Sequence, residues 1–181
     1  MIPLSEVSRI PGWMEPAALQ WLRSVALRLP DGAVVVELGC WMGRSTAALA
    51  VPHINLISVD NFQGIPGDQT QFQAGRTDVY QTFLSNVVRY GLRVSLLYMD
   101  SLKAAELFKD RSLAMVFIDD DHTDFGRIHD AWSRKVKSGG IAAGHDYNNI
   151  MFPNIRRELD KKIRLPIYLV NGSSLWFYYI P

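Results

Sequence analysis

Cysteine occurs once, at Cys40. One thiol cannot build an internal disulfide framework, and a reducing compartment is the simplest setting for such a chain. No apolar run approaches the roughly 18 residues that a membrane-spanning helix needs, so no membrane partner is expected. The opening stretch MIPLSEVSRIPGWMEP has no apolar core of signal-peptide length, and a cytoplasmic location is expected. Neither sign of charge is in excess: the formal net charge is +1, which gives no electrostatic argument for nucleic acid or an anionic membrane surface. Basic residues gather at Arg156, Arg157, Lys161, Lys162 and Arg164, and that spacing reads as a solvated helix face. Internal repeats and low-complexity segments are missing. So is the G-x-G-x-x-G fingerprint of dinucleotide-binding turns.

What is present is ordinary globular composition. Hydrophobic residues make up 48% and charged residues 20% of 181 residues, enough for one domain with a full core. The domain is expected to span 1–181, with 1–30 as an N-terminal segment and helix. Strand-like and helix-like runs alternate, which argues for βαβ units and a parallel sheet. Strands are expected at 33–38, 55–60, 94–99, 113–119 and 140–145. Helices are expected at 16–29, 44–50, 78–90, 102–109, 123–136 and 154–162. The runs 166–170 and 175–180 break the alternation, and Asn171-Gly172 between them is a hairpin signal. The expected architecture is α/β and Rossmann-like: a mostly parallel seven-stranded sheet with an antiparallel C-terminal hairpin. The segment Phe62–Gly75 is long for a connection and reads as a lid over a site.

The most informative stretch is VVVELGCWMGRST at 34–46. It joins a buried strand, a glycine turn and a helix start, the place where α/β proteins hold anionic or carboxylate-bearing ligands. Its spacing is E-x-G-x-x-x-G, through Glu37, Gly39 and Gly43. The two glycines let backbone approach a ligand closely, and Ser45 or Thr46 could hold a carboxylate with the first helical N–H groups. Trp41 can pack on a cofactor or act as a partly buried anchor.

Acids recur where strands end: Glu37, Asp60, Asp100, Asp119-Asp120-Asp121-His122 and His145-Asp146. Core packing explains apolar strand bodies but not five acidic termini on one rim, and ligands of open α/β sheets sit outside those ends. Asp60 lies 23 residues after Glu37, near the spacing of a ribose-binding acid. Asp100 and Ser101 could meet an adenine edge, and Glu37 a sulfonium or amine. Cys40 reads as a packing residue, His129 as a helix-surface residue and His53 as a loop residue.

Taken in order, VVVELGCWMGRSTAALA, SVDNF, MDS, FIDDDHTDFGRIHDAW and KSGGIAAGHDYNN resemble the class I S-adenosylmethionine-dependent methyltransferases. Within them the chain is similar to the small-molecule O-methyltransferase family that includes macrolide-sugar O-methyltransferases and cephalosporin hydroxylase-like proteins. The resemblance implies S-adenosylmethionine bound by Glu37, Gly39, Trp41, Gly43, Ser45, Asp60, Asn61, Asp100, Ser101 and Asp119. It implies Mg²⁺ or another divalent metal at Asp119, His145 and Asp146, and His122 with Asp119 as catalytic groups. Two positions depart from the family pattern. Asp120 stands where glycine is frequent, and the strand-five pair is His-Asp rather than two acids or Asp-Asn.

The first expectation is therefore O-methylation of a small-molecule hydroxyl. An iron-dependent hydroxylase using His122, His145 and Asp119 or Asp146 is a second reading, although such chemistry does not need the glycine loop. A nicotinamide dehydrogenase is disfavoured by the missing fingerprint and by the hairpin. A non-catalytic methyltransferase-like binding protein stays open. Trp13, Phe62, Phe72, Tyr147 and Phe152 are candidate acceptor contacts. The aromatic run at 176–180 reads as a buried edge strand, with a homo-oligomer interface as its other reading.

Overall fold

The computed structural model of the chain describes residues 1–64 and 69–181. Five strands are parallel: β1 (Val34–Leu38), β2 (Asn55–Asp60), β3 (Ser95–Tyr98), β4 (Leu113–Ile118) and β5 (Val136–Gly144). A C-terminal hairpin adds β6 (Tyr168–Leu169) and β7 (Trp176–Tyr179), and β7 runs antiparallel to both β5 and β6. The order across the sheet is β3-β2-β1-β4-β5-β7-β6, and the seven strands, mostly parallel with an antiparallel C-terminal hairpin, are those the alternating pattern and the Asn-Gly turn predict. β1 pairs with β2 on one side and β4 on the other. The connections therefore reverse direction there and open a crevice at the strands' carboxyl ends.

Eight helices are described: α1 (Leu4–Val7), α2 (Pro16–Arg28), α3 (Arg44–Leu49), α4 (Gln69–Ala74), α5 (Val79–Tyr90), α6 (Ser101–Ala105), α7 (Phe125–Ser133) and α8 (Pro153–Lys162). None is long and apolar enough to cross a membrane, among the described residues. Strand alternation sends side chains to opposite faces of the sheet. Val35, Leu56, Met115 and Phe117 join one buried cluster with residues of α2, α3 and α5. Val36, Leu38, Val59, Val116 and Ile118 join a second with residues of α6, α7 and α8. The sheet is thus covered on both sides, as near-continuous apolar strands require.

Several boundaries move. α6 stops at Ala105 and α7 at Ser133, and Val136 opens β5 rather than closing a helix. A register shift between Leu113 and Met115 lets that strand start early, with Gly139 at φ +73 in its exposed first half. α1 has no counterpart in the sequence-based expectations. Of the expected lid, 65–68 lie outside the described residues, and α4 occupies 69–74. His129 is not on the surface. It is 2% exposed and its Nε2 meets the Tyr178 hydroxyl at 2.8 Å. It shares a helical face with buried Phe125, Ile128 and Trp132.

Candidate active site

β1 ends in a turn that only glycine can make. Gly39 has φ +79, and a Cβ there would collide with the Asp119 carbonyl at the end of β4. Two backbone bonds lock this approach: Gly39 N–H donates to Val59 O and Asp119 N–H to Leu38 O, both at 2.9 Å. Trp41 follows with φ 48. Its N–H donates to Asp60 Oδ2 at 2.8 Å, and the Phe62 N–H donates to Asp60 Oδ1 at 2.7 Å. Asp60 therefore fixes two loops at once. Burial raises its pKa, against the lowering effect of those N–H donors.

Around this turn lies a cavity of about 450 Å³ at the carboxyl edge of the sheet. Ten residues singled out from the sequence line it: Gly39, Trp41, Asp60, Asn61, Asp100, Ser101, Asp119, His122, His145 and Asp146. Asp100 caps α6, accepting from Lys103 N–H at 3.0 Å. Ser101 is held from below, where Trp132 Nε1–H donates to its carbonyl at 3.0 Å. Asp120, the departure from the family pattern, also lines the cavity. Burial and the nearby Asp60 charge push its carboxyl up to about 6, against a Ser101 hydrogen bond.

Glu37, Gly43 and Ser45 are not on that wall. Glu37 is fully buried, so it cannot meet a ligand's cation as the sequence suggested. Alternation puts it on the same face as Val35, beneath α3. Its Oε2 accepts from Thr46 Oγ1 and Ser58 Oγ, each at 2.6 Å, and Oε1 has no partner in hydrogen-bond geometry. Burial pushes its pKa up to about 7, opposed by the hydroxyls of Ser45, Ser58 and Thr46. Ser45 borders a smaller recess of about 40 Å³, with Gly39, Trp41 and Asp119. Gly43, at φ +94, caps α3 and faces Phe83.

The far end of the cavity is a charge network. His122 Nε2 lies 2.9 Å from Asp146 Oδ2 and 3.9 Å from Asp119 Oδ1. Its ring stacks on Phe152 with centroids 4.0 Å apart. Burial works to lower its pKa, but the Asp146 hydrogen bond and the Asp119 charge raise it overall. His145 Nδ1 sits 3.3 Å from Asp146 Oδ1, and its Nε2 sits 2.7 Å from Glu15 Oε2. Despite burial, these carboxylates lift His145 to about 10. Burial raises Asp119 to about 6, with His145 pulling it back and Asp146 pushing it further up. Asp146 goes well below the usual carboxylate range. Burial opposes that, and His122, His145 and the 2.8 Å donation from Asn149 Nδ2 outweigh it.

Asp119, His145 and Asp146 offer ligand atoms within 4.8 Å of one another. Two carboxylates and one imidazole suit a divalent cation such as Mg²⁺ or Mn²⁺. Two acids side by side, half-buried Asp119 and buried Asp146, carry the negative charge that such an ion would offset. In the chain alone the His145 imidazolium offsets it instead, held by Glu15 and Asp146.

Glu15 escaped the sequence reading. It also accepts from Ser174 N–H at 3.2 Å, so it ties the N-terminal segment to the hairpin turn. Nothing local marks it, because its partner His145 is 130 residues away. The same segment is clamped by Arg44, whose guanidinium donates to the carbonyls of Ile10, Met14 and Ser8. That clamp sets Trp13 against Trp41, with ring centroids 5.6 Å apart. Of the aromatic acceptor candidates, Trp13 and Phe152 line the cavity. Phe62 instead packs in the core against Tyr80 and Phe83. Tyr147 spends its hydroxyl on Asp160 at 2.7 Å, and Phe72 lies under Arg76.

Comparison with known proteins agrees with this architecture. A family described as "Methyltransferase domain" matches residues 36–147, the span from β1 to the residue after Asp146. No curated protein matches the chain. Among solved structures, a SAM-dependent O-methyltransferase from Thermotoga maritima superposes with TM-score 0.69 at 16% identity, covering 99% of this chain and 72% of that one. The TDP-rhamnose 3'-O-methyltransferase CalS11 of calicheamicin biosynthesis gives 0.58 at 17% identity, covering 98% and 87%. A precorrin 8w decarboxylase from Methanobacterium thermoautotrophicum gives 0.66 at 19% identity, covering 99% and 100%. At such identities these likenesses establish a shared fold, and the chemistry has to be argued from the site.

Proposed function

This chain belongs to the methyltransferase-domain family, and from that premise we propose that it is an S-adenosylmethionine-dependent O-methyltransferase acting on a small-molecule hydroxyl. One observation carries the proposal. A single cavity joins the Gly39–Trp41–Asp60 turn and the Asp100–Ser101 corner to the Asp119–His122–His145–Asp146 network. Cofactor and acceptor would therefore meet in one enclosure.

When bound, S-adenosylmethionine supplies an electrophilic methyl group on a sulfonium. Asp60 offers carboxylate lone pairs to a ribose diol while its two backbone donors hold it in place. Asp100 and Ser101, on the same wall, would offer polar groups to an adenine edge. Gly39 brings main chain to the cavity wall without a side chain in the way. At the other end the acceptor hydroxyl must lose a proton as it attacks. His122 Nε2–H donates to the Asp146 carboxylate at 2.9 Å, so the proton leaving the acceptor would pass to the other ring nitrogen, Nδ1, or to Asp119, whose carboxyl titrates near 6. General-base help of this kind contributes about 10²–10⁴-fold. Holding the acceptor in line contributes more, up to about 7–11 kcal/mol of the barrier. A divalent ion held by Asp119, His145 and Asp146 would lower the hydroxyl's own pKa.

Calorimetric titration with S-adenosylmethionine and S-adenosylhomocysteine, in Mg²⁺ and then in EDTA, tests the proposal. Micromolar binding that is lost in Asp60→Ala is expected, as is methyl transfer to a hydroxyl compound. A signal that depends on Mg²⁺ and disappears in Asp119→Asn would assign the metal. Failure of both ligands to bind under either condition would overturn the reading.

A further inference from the structure

We infer that the methyl acceptor enters the cavity as a neutral or ammonium-bearing molecule, with no phosphate or carboxylate on the enclosed part; this deepens, and rests on, the methyltransferase reading of the same cavity. The wall carries Asp60, Asp100, Asp120, Asp121 and Asp124 in addition to the Asp119–His145–Asp146 group. Among the described residues, no lysine or arginine stands on that wall.

Nearby guanidinium groups are committed elsewhere. Arg44 borders the adjoining recess and spends its donors on three backbone carbonyls of the N-terminal segment. Arg127 pairs with Asp124 at 2.7 Å, with its side chain 75% exposed, so it answers one acid from the solvent side. A cofactor with one sulfonium, one ammonium and one carboxylate brings a net charge of one. With Asp124 answered by Arg127, and His122 and His145 set against the metal-ligating acids, that still leaves Asp60, Asp100, Asp120 and Asp121 on a wall that offers an entering anion no lysine or arginine. An enclosed phosphate would add about two negative charges where low-dielectric walls focus the field.

A further feature favours a neutral or cationic guest. Trp13 presents a half-exposed indole at the cavity and Phe152 a second ring. Aromatic faces attract cations and accept flat apolar rings, and their negative π face repels an anion.

One ring carrying three charges tests this. Dihydroxybenzylamine, dihydroxybenzyl alcohol and dihydroxybenzoate would be titrated by ligand-observed NMR into the full chain with S-adenosylhomocysteine bound. The titrations would be done in Mg²⁺ and in EDTA, at low and at high salt. The amine and the alcohol are expected to bind at least about tenfold more tightly than the benzoate at low salt, with the amine's advantage over the alcohol shrinking as salt screens the wall. That advantage should also shrink in an Asp121→Asn/Asp124→Asn double variant that still binds S-adenosylhomocysteine. Benzoate binding as tightly as the amine overturns the inference, and so does failure of all three to bind while S-adenosylhomocysteine does. Loss of S-adenosylhomocysteine binding itself overturns the methyltransferase reading, and the two failures are thereby told apart.

Discussion

Replacing Glu37 by Gln should change how stability depends on pH. Glu37 is a fully buried acid whose pKa rises from 4.5 to about 7. Burial is the cause, and three hydroxyl groups offset it only in part. The direction is opposite to that of an ion-paired carboxylate. Between pH 4.5 and 7 the unfolded chain has released this proton while the native chain keeps it. The native state then binds more protons, so stability falls as pH rises through that window. The shift corresponds to about 3 kcal/mol, fully lost once the pH exceeds the folded value. Gln cannot ionise but keeps an oxygen for Thr46 and Ser58. The variant should match the wild type to within about 1 kcal/mol near pH 4 and exceed it by about 3 kcal/mol near pH 8. Urea denaturation followed by tryptophan fluorescence across that range measures it. Asp119 and Asp120 also titrate near 6; Asp120 is common to both proteins and cancels in the difference, and Asp119, whose charge helps to raise Glu37, adds only a minor contribution. A difference that stays flat with pH would refute the assignment of a buried, proton-retaining Glu37.

Gly39→Ala should destabilise the fold by about 2 kcal/mol or more, since φ +79 and the Asp119 carbonyl both reject a Cβ; an unchanged urea midpoint would contradict the close approach. Glu15→Ala should cost about 1–2 kcal/mol by leaving His145 and Ser174 N–H without their acceptor. Limited proteolysis should then cut the 1–15 segment faster, and unchanged cleavage would refute the tie. Trp132→Ala should cost about 3–5 kcal/mol and also loosen the Ser101 carbonyl it supports. Affinity for S-adenosylhomocysteine should fall with it, and a stability loss without an affinity loss would separate this core side chain from the site.

The glycine turn was legible because strand, Gly39 and helix start fall within one short stretch. The hairpin was legible because Asn171-Gly172 separates two strand-like runs, and Gly172 does adopt φ +78. Asp60, Asp100, Asp119 and Asp146 were legible as neighbours on one cavity rim, because sheet geometry brings carboxyl ends together whatever else the chain does. Glu37 was misplaced although period-two alternation sets it on the Val35 face, under α3. His129 was misplaced although its i−4 and i+3 neighbours, Phe125 and Trp132, are core residues. Both signals were present in the sequence, and the polarity of the side chain concealed them. Glu15 is different in kind. Its role depends on a partner far along the chain, and no local pattern encodes a contact of that range.

That range also orders events during biosynthesis. The turn around Gly39 and the carboxylates of Asp60 and Asp100 emerge from the ribosome early. Glu15 must wait for Ser174, 159 residues later, before its second bond can form. A nascent chain can therefore form the bonds of Gly39 to Val59 and of Trp41 to Asp60 well before the Glu15–His145 end of the cavity can be tied down.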